Sequence, residues 1–270
     1  MSPKAFGAEQ LPLTVLTGAG ISADSGIPTY RDKAGQWQGS TPIQHQDFMS
    51  SEGARRRYWS RSMYGWPTVA NAQPNVAHYA LVALQQRSQI SLLVTQNVDD
   101  LHRRAGHADV IDLHGRITKV KCLSCNTLIP RAQMQACLEA ENKATAIAVN
   151  SPRPDGDFEL PGSETHAFKI PACEQCGGVL MPDVVFFGGT VPQARVDRVR
   201  NDLRRSAGLL VLGSSLAVYS GYRFCKYAQA MNKPIYIVNP GVTRADQMAT
   251  EKFEMDCSTF LDRWLGTLSD

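Results

Sequence analysis

A short glycine-containing turn near the start of the chain constrains the fold more than any other feature. The apolar run Leu13-Thr-Val-Leu-Thr17 leads directly into Gly18-Ala-Gly-Ile-Ser-Ala23. This order fits the G-x-G-x-x-G/A pattern that binds dinucleotide phosphates where a strand meets a helix. Gly18 and Gly20 would let the backbone approach a pyrophosphate, which free amides at the start of the following helix would stabilise. The alternative is a plain glycine turn after a buried strand.

The residues after this turn differ from those of a typical dehydrogenase. An acidic residue about twenty positions further on normally holds a ribose hydroxyl, but that region reads Trp37-Gln-Gly-Ser40. A second rigid turn, Gly26-Ile-Pro-Thr-Tyr-Arg31, follows instead and ends in a guanidinium suited to phosphate contact. The sequence therefore predicts a dinucleotide that is not held for hydride transfer.

Several further strand-like runs end in residues that bind ligands in open α/β sheets. The predicted strands are 92–95, 110–113, 183–187, 209–212 and 235–238. The residues that follow them include Gln96, Asn97, Asp99, His114, Gly188, Gly189, Gly213, Ser214, Ser215, Asn239 and Gly241. Helical spacing occurs at 55–62, 75–87, 131–143, 193–206 and 221–231. The pattern indicates an α/β fold with a mostly parallel sheet whose strand ends meet at one crevice.

Two Cys-x-x-Cys pairs predict a metal site. They are Cys122-Leu-Ser-Cys125 and Cys173-Glu-Gln-Cys176, and the segment between them is longer than in a compact zinc ribbon. Four thiolates would close the tetrahedral shell of Zn²⁺, so the site should be structural, and the alternative is a redox pair. The segment between the pairs contains a polar loop at 151–164. Cys137, Cys225 and Cys257 have no context typical of a nucleophile.

The charge balance does not favour a polyanionic partner. The chain has 28 basic and 25 acidic residues and a net charge of +3, which argues against nucleic acid and membrane surfaces as partners. No apolar stretch reaches the length of a membrane span, and the first ten residues lack the apolar core of a signal peptide. We therefore expect a cytoplasmic protein, or a protein of the mitochondrial matrix if the source is eukaryotic.

Taken in order, these motifs resemble those of the sirtuins, the NAD-dependent protein lysine deacylases. The resemblance covers roughly residues 11 to 265 and includes both glycine turns, Thr95-Gln-Asn-Val-Asp99, Leu113-His-Gly115, the cysteine pairs and Gly213-Ser-Ser215. Finer motifs, such as Pro154-Asp-Gly-Asp157 and Val218-Tyr-Ser-Gly-Tyr-Arg-Phe224, look like class II sirtuins, the group of the mitochondrial fourth sirtuin of animals. The resemblance implies a Rossmann-like parallel sheet with helices on both faces and a small zinc-binding lobe.

The resemblance also implies a role for each matching residue. His114, Asn97 and Asp99 are implied as catalytic, with His114 as the general base on a ribose hydroxyl of NAD+. The implied NAD+-binding residues are Gly18, Ala19, Gly20, Ser22, Thr29, Tyr30, Arg31, Trp37, Gln96, Asn97, Val98, Asp99, Gly213, Ser214, Ser215, Asn239, Pro240, Gly241 and Cys257. Phe187, Gly188, Val218 and Tyr219 would bind the acyl-lysine peptide as an added strand.

Within this resemblance, the domain boundaries and two alternatives remain open. We assign 1–31, 74–118 and 180–270 to the NAD-binding domain, 32–73 to a cofactor loop and helical part of the small lobe, and 119–179 to the zinc module. Thr29 stands where the family usually has Asp, so a weakly active NAD-responsive binding protein is one alternative, and a mono-ADP-ribosyltransferase is the other. The expected partners are acyl-lysine proteins, and the expected oligomeric state is a monomer.

The acyl preference is also open. The Tyr58-x-x-Arg61 pair resembles the pair that recognises acidic acyl groups in desuccinylating sirtuins. An arginine of a helix that pairs with cofactor-side groups or with solvent explains these residues equally well. His45, His78 and His102 gain no role from the resemblance.

Overall fold

A computed structural model describes residues 6–32, 36–38, 42–142 and 167–268. The strands are β1 (Leu13–Thr17), β2 (Ile90–Thr95), β3 (Val110–Asp112), β4 (Gly115–Cys122), β5 (Leu128–Pro130), β6 (Leu180–Val184), β7 (Gly208–Leu212), β8 (Ile235–Val238) and β9 (Glu251–Phe253). The α-helices are α1 (His45–Ser50), α2 (Glu52–Asn71), α3 (Val76–Gln86), α4 (Leu101–Arg104), α5 (Arg131–Glu141), α6 (Gln193–Arg205), α7 (Tyr219–Ala230) and α8 (Cys257–Gly266). Among the described residues, no helix is both long and apolar enough to cross a membrane.

The main sheet has six strands in the order β3-β2-β1-β7-β8-β9. All of its pairings are parallel. Counted within this sheet alone, the order is the 3-2-1-4-5-6 order of dinucleotide-binding folds, in which the chain reverses direction between the first and fourth strands. The predicted α/β class is therefore confirmed, and the reversal point lies between β1 and β7.

Helices cover both faces of this sheet. The strands β1 and β7 are buried along their whole length, as expected for central parallel strands. On one face, Leu13 and Val15 pack with the apolar sides of α3 and α8. On the other, Leu16 packs with the apolar sides of α6 and α7. The strand ends are thereby held at fixed positions, which is what a binding site at one edge of the sheet requires.

A second, antiparallel sheet forms the core of the small lobe. Its order is β5-β4-β6, and β4 pairs with both neighbours. The strand predicted at 183–187 in the main sheet is therefore wrong, since the observed strand is Leu180–Val184 and belongs to the small sheet. The predicted domain boundaries remain a prediction, and β4 contains residues from both sides of the boundary at 118/119.

The long helix α2 is stabilised by α5 at the place where its own hydrogen bonding is broken. Pro67 lies inside α2 and has no N–H to donate to the carbonyl of Met63, four residues earlier. That carbonyl accepts from Gln135 Nε2 at 2.8 Å. Arg131 donates to the Ser62 carbonyl at 3.1 Å and is fully buried. The two helices of the small lobe are thus joined next to Pro67 of α2.

The predicted helices are found with shifted ends. The helix predicted at 55–62 is part of the longer α2, and those predicted at 75–87, 131–143, 193–206 and 221–231 correspond to α3, α5, α6 and α7. The predicted polar loop at 151–164, with the motif at 154–157, lies outside the described residues, as do Gly39, Ser40 and Lys143.

Candidate active site

The crevice begins where two glycine-containing loops touch at the β1–β7 reversal point. Gly20 N donates to the Gly213 carbonyl at 2.8 Å, and Gly18 N donates to the Leu212 carbonyl at 3.0 Å. A Cβ on Gly20 would lie 2.8 Å from Gly213 Cα, which is closer than real Cβ contacts. The glycines are therefore required by the contact between the loops. The amides of Gly18 and Gly20 are engaged in this contact, and the role of both residues in phosphate binding remains a prediction.

The helix that follows the turn is short and tightly wound. Residues Ala19–Ser25 form a 3-10 helix that ends at Gly26, whose φ is 81°. Positive φ is accessible to glycine at little cost, which explains the residue type at this position. The chain then turns back into the segment with Thr29, whose hydroxyl donates to the Arg31 carbonyl at 2.8 Å. Thr29 thus stabilises the second turn through its own hydroxyl.

Gln96 and Asn97 follow β2 and join it to the loop after β1. Asn97 Nδ2 donates to the Gly18 carbonyl at 3.1 Å and to Ser22 Oγ at 3.0 Å. Gln96 Nε2 donates to Ser214 Oγ at 2.8 Å. These amides hold the ends of β1, β2 and β7 together, and their side chains form part of the crevice wall.

Asp99 and Ser22 lie behind this wall. Ser22 Oγ donates to Asp99 Oδ2 at 2.7 Å, and Leu101 N donates to Asp99 Oδ1 at 3.0 Å. Burial raises the pKa of the Asp99 carboxyl, while these donors oppose the shift. Neither residue lines the crevice. The arrangement makes both of them supports for Asn97, which does line it.

His114 follows β3 and sits between β2 and α7. Its Nδ1 lies 2.8 Å from the Gln96 carbonyl oxygen, and its Nε2 lies 2.7 Å from Ser220 Oγ. Burial lowers the pKa of His114 to about 4, the Gln96 carbonyl opposes this shift, and the charges of Arg195 and Arg223 add to it. The imidazole is therefore neutral at pH 7 and can accept a proton from a bound group.

Three aromatic rings close one end of the crevice. Tyr30 and Trp37 are stacked with ring centroids 5.4 Å apart, and both meet Phe187 edge-on at 6.4 and 5.7 Å. The Arg31 guanidinium carbon lies 5.3 Å from the centroid of the Trp37 ring. The contacts of Tyr30 and Trp37 with Phe187 hold the segment after the second turn against the chain that follows β6.

The opposite end is formed by the loops after β7 and β8 and by the start of α8. Ser214 Oγ accepts from Leu216 N at 3.2 Å, and Asn239 Nδ2 donates to the Gly241 carbonyl at 2.9 Å. Burial and the neighbouring Asp256 and Asp24 carboxylates raise the pKa of Cys257 to about 12. Cys257 therefore remains a thiol at neutral pH and is not a nucleophile, as expected from the sequence.

Together these segments enclose a cleft of about 790 Å³. Nearly all of the residues that the sequence assigns to cofactor, substrate and base line it: Gly18, Ala19, Gly20, Thr29, Tyr30, Arg31, Trp37, Gln96, Asn97, Val98, His114, Phe187, Gly188, Gly213, Ser214, Ser215, Val218, Tyr219, Asn239, Pro240, Gly241 and Cys257. Ser22 and Asp99 are the two exceptions. Their assigned roles, like those of the lining residues, remain predictions.

Some residues that line the cleft have no role predicted from the sequence. Ser220 and Arg223 of α7 are the most important, because both lie close to His114. Asp24 and the apolar segment 184–186 line it as well. Ser220 and Arg223 lie inside the motif at 218–224 that carries part of the resemblance, so the motif itself was the available signal.

The four cysteines of the two pairs form a second site. Their Sγ atoms lie within 4.8 Å of one another, with 3.5 Å between Cys122 and Cys176 and 3.7 Å between Cys125 and Cys173. Four Zn–S bonds of about 2.3 Å in a tetrahedron place sulfur atoms about 3.8 Å apart, so the thiolates fit Zn²⁺. No position is left for water, and the prediction of a structural zinc site is supported.

Comparisons with known proteins agree with this geometry. The profile of the Sir2 family matches residues 18–220. An NAD-dependent protein deacetylase of Bordetella bronchiseptica is 49% identical over 249 residues, which are 92% of this chain and 91% of that protein. The NAD-dependent protein deacylase Sirt4 of Drosophila melanogaster is 45% identical over 92% of this chain and 81% of its own length.

A solved structure of a Sir2 protein with the inhibitor EX-527, 2'-O-acetyl-ADP-ribose and a deacetylated p53 peptide has a TM-score of 0.74 at 29% identity. The match covers 95% of this chain and 94% of that one. A complex of Sir2 with a p53 peptide and NAD+ has a TM-score of 0.73 at 30% identity and covers 95% and 93%.

Proposed function

Because this chain belongs to the Sir2 family, we infer that its cleft binds NAD+ together with an acyl-lysine peptide. The protein is an NAD-dependent protein lysine deacylase, which transfers the acyl group from lysine to ADP-ribose and releases nicotinamide. The relatives named as deacetylases and the Sir2 structure with acetyl-ADP-ribose support this activity. The protein also holds one structural Zn²⁺ in its cysteine cluster, as the sulfur geometry supports.

The position of His114 is the observation that carries this conclusion. Its Nδ1 is bound by a carbonyl oxygen, which can only accept, so Nδ1 carries the hydrogen and Nε2 is the basic atom. That atom lies in the cleft, where the resemblance places a ribose hydroxyl. Bound NAD+ supplies an electrophilic ribose carbon that loses nicotinamide as the acyl oxygen bonds to it, and His114 then removes the proton of a ribose hydroxyl.

The remaining walls orient the reactants. Gln96 and Asn97 present amides beside the base, while Ser214, Ser215 and Asn239 line the opposite end of the cleft for the adenosine half. Val218 and Tyr219 are 41% and 50% exposed, so their backbone is reachable for a peptide strand. The acyl-lysine would enter between this segment and Phe187.

The experiment is mass spectrometry of the purified protein with NAD+ and peptides that carry acetyl-, longer acyl- and succinyl-lysine. We expect nicotinamide and O-acyl-ADP-ribose from the parent, and a loss of at least about 100-fold in product with His114→Ala, because a base of this kind contributes 10²- to 10⁴-fold. NAD+ binding, measured by calorimetry, should remain. A parent that binds NAD+ and holds zinc but forms no product from any peptide would overturn the deacylase.

Two other outcomes of that experiment correspond to the alternatives that the sequence leaves open. ADP-ribose found covalently attached to the peptide would indicate a transferase. Binding of NAD+ without turnover would indicate a binding protein. The second alternative rests on Thr29, which stands where the family usually has Asp, and the Thr29 hydroxyl donates to the Arg31 carbonyl within the turn.

The acyl preference is a finer part of the proposal. Tyr58 lines the cleft and packs edge-on against Phe48, Trp59 and Phe186. Arg61 is buried and does not line the cleft, so the two side chains do not face one bound carboxylate together. We therefore propose that neutral acyl groups are better substrates than succinyl, and the same peptide panel measures their order.

We also propose that the protein acts as a monomer on acyl-lysine proteins in the cytoplasm, without nucleic acid or membrane as a partner. The nearly balanced charge supports the absence of a polyanionic partner. A zinc site of four thiolates is typical of a reducing compartment. Light scattering of the purified protein and fractionation of the source cells test these statements.

A further inference from the structure

Ser220 lies within hydrogen-bond distance of the basic atom of His114, and no role has been assigned to this serine. It lies in the first turn of α7, is 9% exposed and lines the cleft. The distance between Ser220 Oγ and His114 Nε2 is 2.7 Å, which is a short hydrogen bond. The general base therefore already has a hydroxyl partner in the protein.

The direction of this hydrogen bond follows from the other side of the ring. The Gln96 carbonyl binds His114 Nδ1 at 2.8 Å and fixes the hydrogen of the neutral imidazole there. Nε2 then has one lone pair and no hydrogen, so the Ser220 hydroxyl donates to it. The two lone pairs of Ser220 Oγ remain able to accept a hydrogen bond from a bound hydroxyl.

The first turn of α7 is closely packed at this position. A Cβ on Gly221 would lie 2.3 Å from Gln96 Oε1, so the helix approaches the end of β2 as closely as glycine allows. The Gly221 amide donates to the Val218 carbonyl at 3.3 Å and closes the turn. The Gln96 side chain therefore packs against the first turn of α7, and the Gln96 carbonyl oxygen binds His114. The two contacts together limit the room for Ser220 to move away from His114.

We propose that Ser220 is a catalytic residue through which His114 takes the proton of the ribose hydroxyl. The proton of the ribose hydroxyl moves to Ser220 Oγ while the Ser220 proton moves to His114 Nε2. The ribose oxygen gains the electron pair of its O–H bond, Ser220 is unchanged at the end, and His114 becomes imidazolium. This inference rests on the proposed deacylase activity and adds a residue to its proton transfer.

The charged groups around His114 act on both protonation states of the ring. The charges of Arg195 from α6 and Arg223 from α7, together with burial, favour the neutral imidazole over the imidazolium. Arg195 is held by the Leu113 carbonyl at 3.3 Å. The neutral ring keeps the Nε2 lone pair available for the Ser220 proton at neutral pH, whereas the same charges and burial oppose the imidazolium that the transfer forms.

The test compares Ser220→Ala with the matched variant Ser220→Thr, which keeps the hydroxyl. Product formation should fall at least about 10-fold in Ser220→Ala and return to within about threefold of the parent in Ser220→Thr. Exchange of labelled nicotinamide into NAD+ should stay within about threefold in both, because it reports the step before the proton transfer. A merely structural role would lower exchange and product formation together, and Ser220→Ala that forms product at the parental rate would overturn the proposal.

A second readout does not depend on turnover. The chain has six histidines, so the His114 signal can be assigned in ¹⁵N-histidine spectra with a His114→Gln variant. Ser220→Ala should shift the Nε2 signal in the free protein, and this difference from the parent should persist when ADP-ribose is bound. If ADP-ribose makes the parent and Ser220→Ala signals coincide, Ser220 has left Nε2 and the relay is wrong, whether or not the parent is a deacylase.

Discussion

At the scale of single residues, Gly213 shows how closely the two loops of the crevice fit. Its φ is +61°, and a Cβ there would lie 2.6 Å from Ile21 N. Two separate constraints, the backbone conformation and the contact, thus require glycine at this position. Since the loops carry the cleft wall, their separation sets the width of the cofactor site.

We therefore expect Gly213→Ala to destabilise the protein by about 2 to 5 kcal/mol and to weaken NAD+ binding. Gly26→Ala is the matched control. Gly26 has φ +81° but nothing within 4 Å of its would-be Cβ, so the cost should be only about 1 to 2 kcal/mol with unchanged binding. Urea unfolding and calorimetry with NAD+ measure both effects. Equal effects of the two substitutions would mean that the contact between the loops contributes neither to stability nor to NAD+ binding.

The residues that line the cleft were more predictable from the sequence than the residues behind them. Gly18 and Gly213 come directly after strands and His114 comes two residues after β3, so the topology brings all three to one edge of the sheet. Ser22 and Asp99 come from the same motifs, yet they face each other under Asn97, because side-chain direction within a short loop is not coded by spacing. Ser220 was not assigned because its partner, His114, is distant in sequence.

At the scale of elements, the two cysteine turns share one backbone geometry. Asn126 follows Cys125 with φ 62°, and Gly177 follows Cys176 with φ 70°. The Gly177 amide donates to the Cys173 carbonyl at 2.7 Å, and the Asn126 amide donates to the Cys122 carbonyl at 3.1 Å. Each turn thus directs two thiols to one side. Among the described residues, the small sheet has only the three strands β5, β4 and β6, so we expect a metal ion that joins the two turns to contribute to the stability of the lobe.

Removal of one ligand should therefore remove the metal and loosen the small lobe. In Cys176→Ser, we expect the zinc content to fall from about one per chain to near zero, with faster proteolysis and loss of deacylation. Cys137→Ser is the control, because Cys137 is outside the cluster and its replacement should leave the zinc content unchanged. Elemental analysis and limited proteolysis measure these outcomes. Full zinc content in Cys176→Ser would contradict the four-thiolate site.

The elements of the main sheet were more predictable than those of the small lobe. β1 and β7 are continuous apolar runs, and their positions follow from that pattern. β4 alternates between buried and half-exposed residues and was overlooked, so the run at 183–187 was placed in the wrong sheet. The edge strand β9 has only three half-exposed or exposed residues, which give no periodic signal.

At the scale of the whole molecule, a cluster of three buried histidines links stability to pH, in addition to His114 in the cleft. The rings of His78 and His102 lie 4.7 Å apart, and those of His102 and His107 lie 5.6 Å apart. Burial lowers the pKa of His78 and of His107 to about 4, and it also lowers that of His102. The unfolded chain binds protons on these rings near pH 6.5, whereas the folded protein does not until a lower pH.

The free energy of unfolding that these histidines contribute should therefore be fully present above about pH 6.5. It should fall as the pH decreases toward 4, by up to about 1.4 kcal/mol per pH unit for each such histidine. The free energy of unfolding in urea at pH 7, 6 and 5 measures this slope. His107→Phe should lower stability at pH 7, because it loses the 2.8 Å bond to Gln85, and should make the slope shallower.

The comparison between parent and His107→Phe also cancels the contribution of Asp99, which changes stability with pH in the opposite direction. Burial raises the pKa of Asp99, so this carboxyl binds its proton more readily in the folded protein and gains stability as the pH falls. That contribution is the same in both proteins and cancels in the difference. An identical slope in parent and variant would show that His107 does not contribute to the pH dependence of stability.

The strand β4 has a consequence for how this architecture can be recombined. It begins directly after His114, the general base, and ends at Cys122, so one continuous strand joins the cleft to the first metal ligand. A chimera that exchanges the zinc lobe between two relatives must either cut this strand or include Gly115, the residue next to His114. The lobe therefore cannot be exchanged without affecting the cleft, and chimeras should take residues 114–122 from a single parent.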